Sequence, residues 1–204
     1  MLISASDSKQ TIDQATLCSD LLDWARQGGA SDAKVVMSYN TGYEVSVRLQ
    51  EIDTVEYHQD ITLGMSVFKG RKKAHFSTTD LSQKALKEAL SQALDVASYT
   101  QEDPYSALPD KADLAVDFDQ QLDVFHPWDL SVEQAIARAL EAESMALDMD
   151  NAIDNSEGMS ISTSNKQRFL ANSHGFAQGY ARTSHYQYLS LIAKQKGKMQ
   201  RDGQ

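Results

Sequence analysis

The segment spanning residues 42–97 constrains the fold of this 204-residue chain more than any other. Apolar Tyr43, Val45 and Val47 alternate with polar residues up to residue 50, a period of two that indicates a strand with one buried face. Residues 52–59, 63–67 and 73–77 also favour strands, and Lys69-Gly70-Arg71 predicts a tight turn. The segment therefore predicts an antiparallel meander of short strands.

One amphipathic helix follows this meander. Ser82 is a suitable N-cap because its hydroxyl can accept a hydrogen bond from an unpaired amide of the first turn. Apolar residues then recur at spacings of three and four, and we expect this stripe to pack on the sheet. Its members are Leu86, Ala89, Leu90, Ala93, Leu94 and Ala97.

The region before the meander predicts one helix and one strand. Residues 9–27 have helical periodicity, with Ile12, Ala15, Leu22 and Ala25 on one face, and Gly28-Gly29 would end the helix. Residues 33–39 are typical of a buried strand, and Asn40-Thr41-Gly42 predicts a turn before the meander.

The second half repeats this combination of elements. Residues 101–128 contain all three prolines and form a predicted connector, within which residues 114–118 favour a short strand. The capping box at 131–134 opens a predicted helix that runs to Met149, with Ala135, Ala139, Ala142, Ala146 and Met149 on its apolar stripe. Predicted strands follow at 159–163, 167–171, 175–182 and 186–193, after turn-forming residues at 155–158.

These elements predict an α+β fold. The sheet would be short-stranded and mostly antiparallel or mixed, with amphipathic helices packed on it. We expect two consecutive subdomains, 1–100 and 129–204, joined by the connector 101–128.

Composition narrows the functional classes. The net charge of −10 disfavours general binding to a phosphate backbone. A local basic cluster lies near the end of the chain, and its simpler interpretation is a solvated final strand or tail. The cluster consists of Lys194, Lys196, Lys198 and Arg201. No apolar run is long enough for a membrane helix, and the N-terminus has no secretory pattern. Cys18 is the single cysteine, which fits a reducing compartment. We expect a cytoplasmic protein.

The side chains that could carry chemistry form no recognised catalytic motif. No histidine belongs to a His-Glu-x-x-His motif or to a Cys/His cluster, so the sequence predicts no metal-ligand residue. A metal site between two histidines on neighbouring predicted strands, residues 174 and 185, is a minor alternative, and His174 is more simply a turn residue before Gly175. The five histidines are His58, His75, His126, His174 and His185.

Nucleophile and acid–base arrangements are equally undefined. Ser173 and His174 are adjacent, so on a strand they would point to opposite faces and could pair only across a turn. Cys18 is expected to be buried and inert. The acidic pairs are interpreted as solvated surface, so no residue is assigned a catalytic or cofactor-binding role; they are Asp117 and Asp119, Glu141 and Glu143, and Asp148 and Asp150.

The sheet edges are the one feature that suggests binding. An exposed edge can take up an extended peptide by strand addition. Such edges can equally be covered by another part of the protein or by a partner. The sequence leaves both possibilities open.

Short motifs in consistent order along nearly the whole chain resemble the PmbA/TldD family, and within it the PmbA/TldE-like branch. Each motif is weakly specific alone, but the set is distinctive. They are Thr41-Gly42 leading into residues 44–48, Val55-Glu56, Gly64, Val67, residues 77–82, Tyr99-Thr100, Asp103-Pro104, Phe125-His126-Pro127, Asn155-x-Glu157-Gly158, Asn172-Ser173-His174-Gly175, Gln178-Gly179-Tyr180 and Met199-x-Arg201-Asp202.

The resemblance implies a bacterial subunit that pairs with a TldD-like chain in a heterodimeric zinc metallopeptidase acting on unfolded peptides. The TldD-like chain would supply zinc from its C-terminal half, so no cofactor is expected on this chain. Family members are about twice as long, so the expectation is an N-terminal half without the C-terminal domain. The alternatives are a stand-alone, non-catalytic peptide- or protein-binding module, self-association, or a modulator of DNA gyrase. A hydrolase with its own active site is the least favoured.

Overall fold

The computed structural model describes residues 13–115 and 122–204, and it confirms the α+β class. Its helices are α1 (Gln14–Gln27), α2 (Gln83–Tyr99) and α3 (Val132–Leu147), with a 3-10 turn at Lys111–Asp113. Its strands are β1 (Asp32–Arg48), β2 (Glu51–Lys69), β3 (Lys72–Thr78), β4 (Ile153–Asn172), β5 (Ala177–Gln195) and β6 (Lys198–Gly203). They form one six-stranded antiparallel sheet in the order β3-β2-β1-β4-β5-β6.

The helix ends follow the local sequence closely. Asp13 caps α1 by accepting hydrogen bonds from the first-turn amides, and Gly29 lies beyond its end with a φ of 87°. Ser82 caps α2 as predicted. The predicted capping box of α3 is also confirmed, since Ser131 and Gln134 each accept the other's backbone N–H. Residues 9–12 of the predicted first helix lie outside the described part of the chain.

The predicted turn at Asn40-Thr41-Gly42 is wrong, because β1 continues through it as a single strand. Gly42 instead allows Thr163 and the His58 ring to approach the backbone of β1 closely. A Cβ at this position would lie 2.0 Å from the carbonyl oxygen of Thr163 and 2.8 Å from the His58 ring. Glycine is a strand residue here because neighbouring groups leave no room for a side chain.

The turn predicted at 155–158 is also wrong. These residues lie inside β4, which continues without a break to Asn172. The chain turns only at residues 173–176, before β5 begins. Strands separated in the prediction are therefore longer and fewer in the structure.

Two hairpin turns connect the first three strands. Lys69-Gly70-Arg71 turns as predicted, with Gly70 at a φ of 63°. The other turn was not predicted, because it consists of Leu49 and Gln50, with φ of 53° and 64°. Positive φ at both central residues is typical of a type I′ turn, where asparagine and glycine are usual.

The chain divides into two compact units, each assembled from three separate segments. Among the described residues, unit 1 comprises 13–37, 62–115 and 168–179, and unit 2 comprises 38–61, 122–167 and 180–204. The predicted division into residues 1–100 and 129–204, which follows sequence order, stays a prediction.

Unit 1 has its core beneath α1 and α2. The two helices contact each other, and α2 also packs against β3. The stripe predicted on α2 supplies Leu86, Leu90, Ala93, Leu94 and Ala97 to this core, all of them buried. The sheet contributes Val35, Met37, Leu63, Met65 and Val67.

Unit 2 packs α3 on its part of the sheet. The buried cluster joins Ala135 and Ala139 of α3 to Val45, Val47, Met159 and Ile161. The small side chains of Ala135 and Ala139 let α3 approach the strands closely. Met149, predicted on the apolar stripe, lies beyond the end of α3 and is 79% exposed.

The connector adds little regular structure in the described residues. Leu114 follows the 3-10 turn and Ala115 belongs to no strand, while residues 116–118 of the predicted strand lie outside the described ranges. Within those ranges, no helix is both long and apolar enough to cross a membrane.

Candidate functional site

His174 lies in the turn between β4 and β5, as the sequence predicted. Its Nε2 is 2.8 Å from a carboxylate oxygen of Asp32, and its Nδ1 is 2.8 Å from the carbonyl oxygen of Pro109. The side chain of Asn172 accepts the backbone N–H of both His174 and Phe176, which holds the turn in shape. The imidazole therefore links three segments of unit 1.

Ser173 and Asp32 stand beside His174, so the residue types of a serine triad are present. Their geometry is different. The Ser173 hydroxyl accepts the backbone N–H of Ala33 at 3.1 Å and lies 3.4 Å from the Asp32 carboxylate. Both imidazole nitrogens already face other acceptors, so neither is free to take a proton from Ser173. This cluster fastens the turn to the start of β1.

His185 belongs to a layered cluster in unit 2. Its Nδ1 is 2.9 Å from the Thr163 hydroxyl, and its Nε2 is 2.8 Å from the carbonyl oxygen of His126. Trp128 packs against the ring at a centroid distance of 5.1 Å, and the Arg138 guanidinium lies over Trp128. These contacts hold residues 126–128 against β5.

The remaining histidines also have local structural partners. His75 Nδ1 is 3.2 Å from the Ser66 hydroxyl on the paired strand. His126 Nε2 is 3.2 Å from the Asp123 carboxylate, and the His58 ring covers Gly42. His174 and His185 belong to different units and have separate partners. Over residues 13–115 and 122–204, no three His, Cys, Asp or Glu side chains are grouped to hold a metal ion.

The prediction that the acidic pairs are solvated surface residues is wrong for Glu143. Its side chain is fully buried on α3, and it accepts the backbone N–H of Leu49 at 3.0 Å and of Gln50 at 2.8 Å. Burial alone raises the pKa of Glu143, but hydrogen bonds from the Ser156 hydroxyl and from these two amides outweigh it and lower the pKa. The sequence carried a weak signal for this, since Glu143 lies on the alanine stripe.

The other members of the predicted acidic pairs lie near the surface or outside the described residues. Glu141 is exposed, Asp148 follows the last turn of α3, and Asp150 accepts the backbone N–H of Ala152. Asp117 and Asp119 lie outside the described residues.

Cys18 is buried in α1 as expected. Desolvation raises the pKa of its thiol to about 11, so the nucleophilic thiolate is scarce at neutral pH. This environment does not suit a catalytic cysteine.

The expected final strand is confirmed for part of the basic cluster, since Lys198 and Arg201 lie in β6, whereas Lys194 lies in β5 and Lys196 in the turn between them. Arg201 forms a 3.0 Å ion pair with Glu157, and Glu157 also accepts a hydrogen bond from Ser190. Part of the cluster is thus neutralised within unit 2.

Two known protein domains match this chain. Residues 33–97 match the domain described as PmbA/TldA metallopeptidase domain 1, and residues 125–204 match the central domain of the same metallopeptidases. The metalloprotease PmbA of Escherichia coli O157:H7 is 40% identical over 175 residues, covering 86% of this chain. The PmbA homolog of Haemophilus influenzae is 38% identical over 181 residues and covers 89% of it. The chain spans 39% and 40% of the lengths of these two relatives.

Solved structures with the same fold have more distant sequences. A Bacteroides thetaiotaomicron protein provisionally described as a modulator of DNA gyrase superposes with a TM-score of 0.85 at 19% identity, covering 95% of this chain and 44% of its own. TldE of Thermococcus kodakarensis gives a TM-score of 0.72 at 15% identity, covering 92% and 42%. At these identities the likeness establishes the fold alone.

Proposed function

This chain belongs to the PmbA/TldD family, and from that membership we propose that it is the N-terminal part of a PmbA/TldE-like subunit that does not itself cleave peptides. Its work would be to assemble with a TldD-like partner, which would hold zinc and hydrolyse unfolded peptides. The observation that carries this proposal is identity of 38–40% to PmbA proteins over most of the chain.

The chemistry of the described side chains supports a scaffolding role. The groups most able to act as base or nucleophile are engaged in structural hydrogen bonds, as in the turn of His174 and the buried carboxylate of Glu143. Over the described residues, no three His, Cys, Asp or Glu side chains lie together in a group that could hold zinc.

Assembly is tested by mixing the purified chain with a TldD-like protein and measuring size exclusion with light scattering. We expect a joint peak at the summed mass. Independent elution of the two chains at micromolar concentrations would remove the subunit role.

Activity provides the second test. The chain alone should release no fluorophore from quenched unfolded peptides, with or without added zinc. Chelator-sensitive hydrolysis by the isolated chain that is lost in His174→Ala would contradict the proposal and place a site here.

The second candidate function is a stand-alone module that binds protein or peptide without catalysis. Open sheet edges on β3 and β6 favour it, since each has one hydrogen-bonded neighbour in the described sheet. Direct modulation of DNA gyrase is less favoured, because the charge of −10 repels DNA on average. A gyrase supercoiling assay unchanged by the chain would agree with this ranking.

A further inference from the structure

A groove in unit 1 runs between the free edge of β3 and the face of α2 beside it. Its volume is about 380 Å³. Residues 74–78 form one wall, and the other wall is formed by Ala89, Gln92, Ala93 and Val96 of α2. A strand edge facing a helix across a groove is the arrangement that accepts an extended peptide by strand addition.

The register of the β2–β3 hairpin shows which backbone groups face the groove. Lys69 pairs with Lys72 across a two-residue turn, so Lys72, Ala74, Phe76 and Thr78 direct their N–H and C=O groups toward β2. The alternate residues Lys73, His75 and Ser77 direct theirs outward. No strand of the described sheet lies on that side of β3.

The helix wall leaves room for the side chains of an added strand. Ala89 and Ala93 are small, and Val96 keeps an exposed fraction of 55%. This wall favours small or β-branched apolar side chains at alternate positions of the incoming segment.

Basic residues are concentrated at the end of the groove where β3 begins. The turn into β3 carries four basic residues, Lys69, Arg71, Lys72 and Lys73, in a chain whose net charge is −10. The amines of Lys69 and Lys72 turn toward Ser98 at the end of α2, whereas Arg71 and Lys73 are exposed. Among the residues the structure describes, none of the four forms an ion pair with a carboxylate.

We propose that this groove binds an extended polypeptide segment as a strand antiparallel to β3, with alternating small apolar side chains against α2 and an acidic C-terminal end at Arg71 and Lys73. An antiparallel strand would end beside Lys72, so its terminal carboxylate reaches the basic turn. The inference rests on the second candidate function, peptide binding at an open sheet edge, and not on the subunit role; every residue that carries it lies in unit 1.

The first test uses fluorescence anisotropy with the fluorescein-labelled peptide Ser-Val-Thr-Val-Ser-Asp, which has a free carboxylate. We expect saturable binding to the whole chain. A probe N-methylated at alternate residues on the ladder side keeps the side chains but cannot donate to β3, so it should bind at least about tenfold more weakly. Equal binding of both probes, or no saturable binding, would overturn the proposal.

Ser77→Pro tests the strand edge from the protein side. It removes an outward N–H and inserts a ring into the groove, while the hydrogen bonds to β2 stay in place. Its matched control is Ser77→Ala, which loses the hydroxyl and keeps the N–H. We expect about a tenfold loss of affinity for the proline variant alone; equal affinity of the two variants would contradict strand addition.

The charge at the basic turn is tested with Arg71→Glu, which also serves if the proline variant fails to fold. Lys84→Glu makes the same charge change in the first turn of α2, at a residue that does not line the groove. The Arg71 variant should bind the probe several-fold more weakly than the Lys84 variant. Equal weakening by both reversals would contradict a carboxylate at Arg71. Concentration-dependent self-association that Ser77→Pro abolishes, without probe binding, would assign the groove to a second copy instead.

Discussion

The buried carboxylate of Glu143 accepts both the backbone N–H and the side-chain amide of Gln50, at 2.8 Å and 3.2 Å. Gln50 and Leu49 form the β1–β2 turn with positive φ, a conformation that costs L-residues about 1–2 kcal/mol each. Glu143 of α3 thus stabilises this turn between β1 and β2 by accepting its hydrogen bonds. The side-chain amide of Gln50 also donates to the carbonyl oxygen of Leu140 in α3. Four predictions follow from these and neighbouring contacts.

Glu143→Gln should lower the free energy of unfolding by about 2–3 kcal/mol, because an amide nitrogen would face amide donors in a buried site. Urea denaturation followed by circular dichroism measures it. Glu141→Gln changes the charge equally on an exposed position, and we expect less than about 0.5 kcal/mol there. Equal losses in the two variants would mean that the buried hydrogen bonds do not matter.

The same carboxylate predicts a pH dependence of stability. The pKa of Glu143 is lowered in the folded state, so its contribution is complete above the unfolded pKa of about 4.3 and is lost as pH falls through the folded pKa. Wild type should therefore lose more stability than Glu143→Gln between pH 5 and the acid limit of folding. Parallel pH curves for the two proteins, from urea titrations at each pH, would refute this assignment.

Leu49→Asn should raise the unfolding free energy by about 0.5–1 kcal/mol, because asparagine accepts the left-handed conformation that leucine resists. Leu49→Ala is the matched control: it removes the same half-exposed apolar side chain without that preference. Thermal unfolding should rank Asn above Ala. The opposite order would show that the left-handed conformation at residue 49 does not limit the stability of the turn.

Gly42→Ala should destabilise the chain by at least about 3 kcal/mol, since the new Cβ would overlap the Thr163 carbonyl oxygen. Gly64→Ala is a suitable control in β2, where the added Cβ would meet only the His75 ring at 3.3 Å. Soluble yield and the urea midpoint report both. A Gly42 variant as stable as the Gly64 variant would show that β1 and β4 separate easily at this point.

Local sequence patterns predicted the helices well because their determinants are contiguous. A cap such as Ser131 and a stripe such as Leu86 to Ala97 depend on hydrogen bonds and spacings within one element. The period-two alternation also identified the antiparallel strands, and the Gly70 turn needed only the residue that tolerates its φ.

The locations of the other turns and the state of the carboxylates depended on contacts between distant segments. Gly42 is a strand residue because Thr163 and His58 occupy the space of a side chain, and Leu49-Gln50 is a turn because Glu143, about ninety residues later, satisfies its amides. His174 likewise takes its role from Asp32 and Pro109 rather than from its neighbour Ser173.

The amino-acid sequence by itself determined the family, the α+β class and the helix caps at Ser82 and Ser131, since periodicity and capping are read within single segments. Only the tertiary structure decided that Gly42 is a strand residue, that Glu143 is buried, and that the edge of β3 faces a groove along α2. Burial, close approach and free backbone groups exist only after distant segments have packed, so no local pattern specifies them.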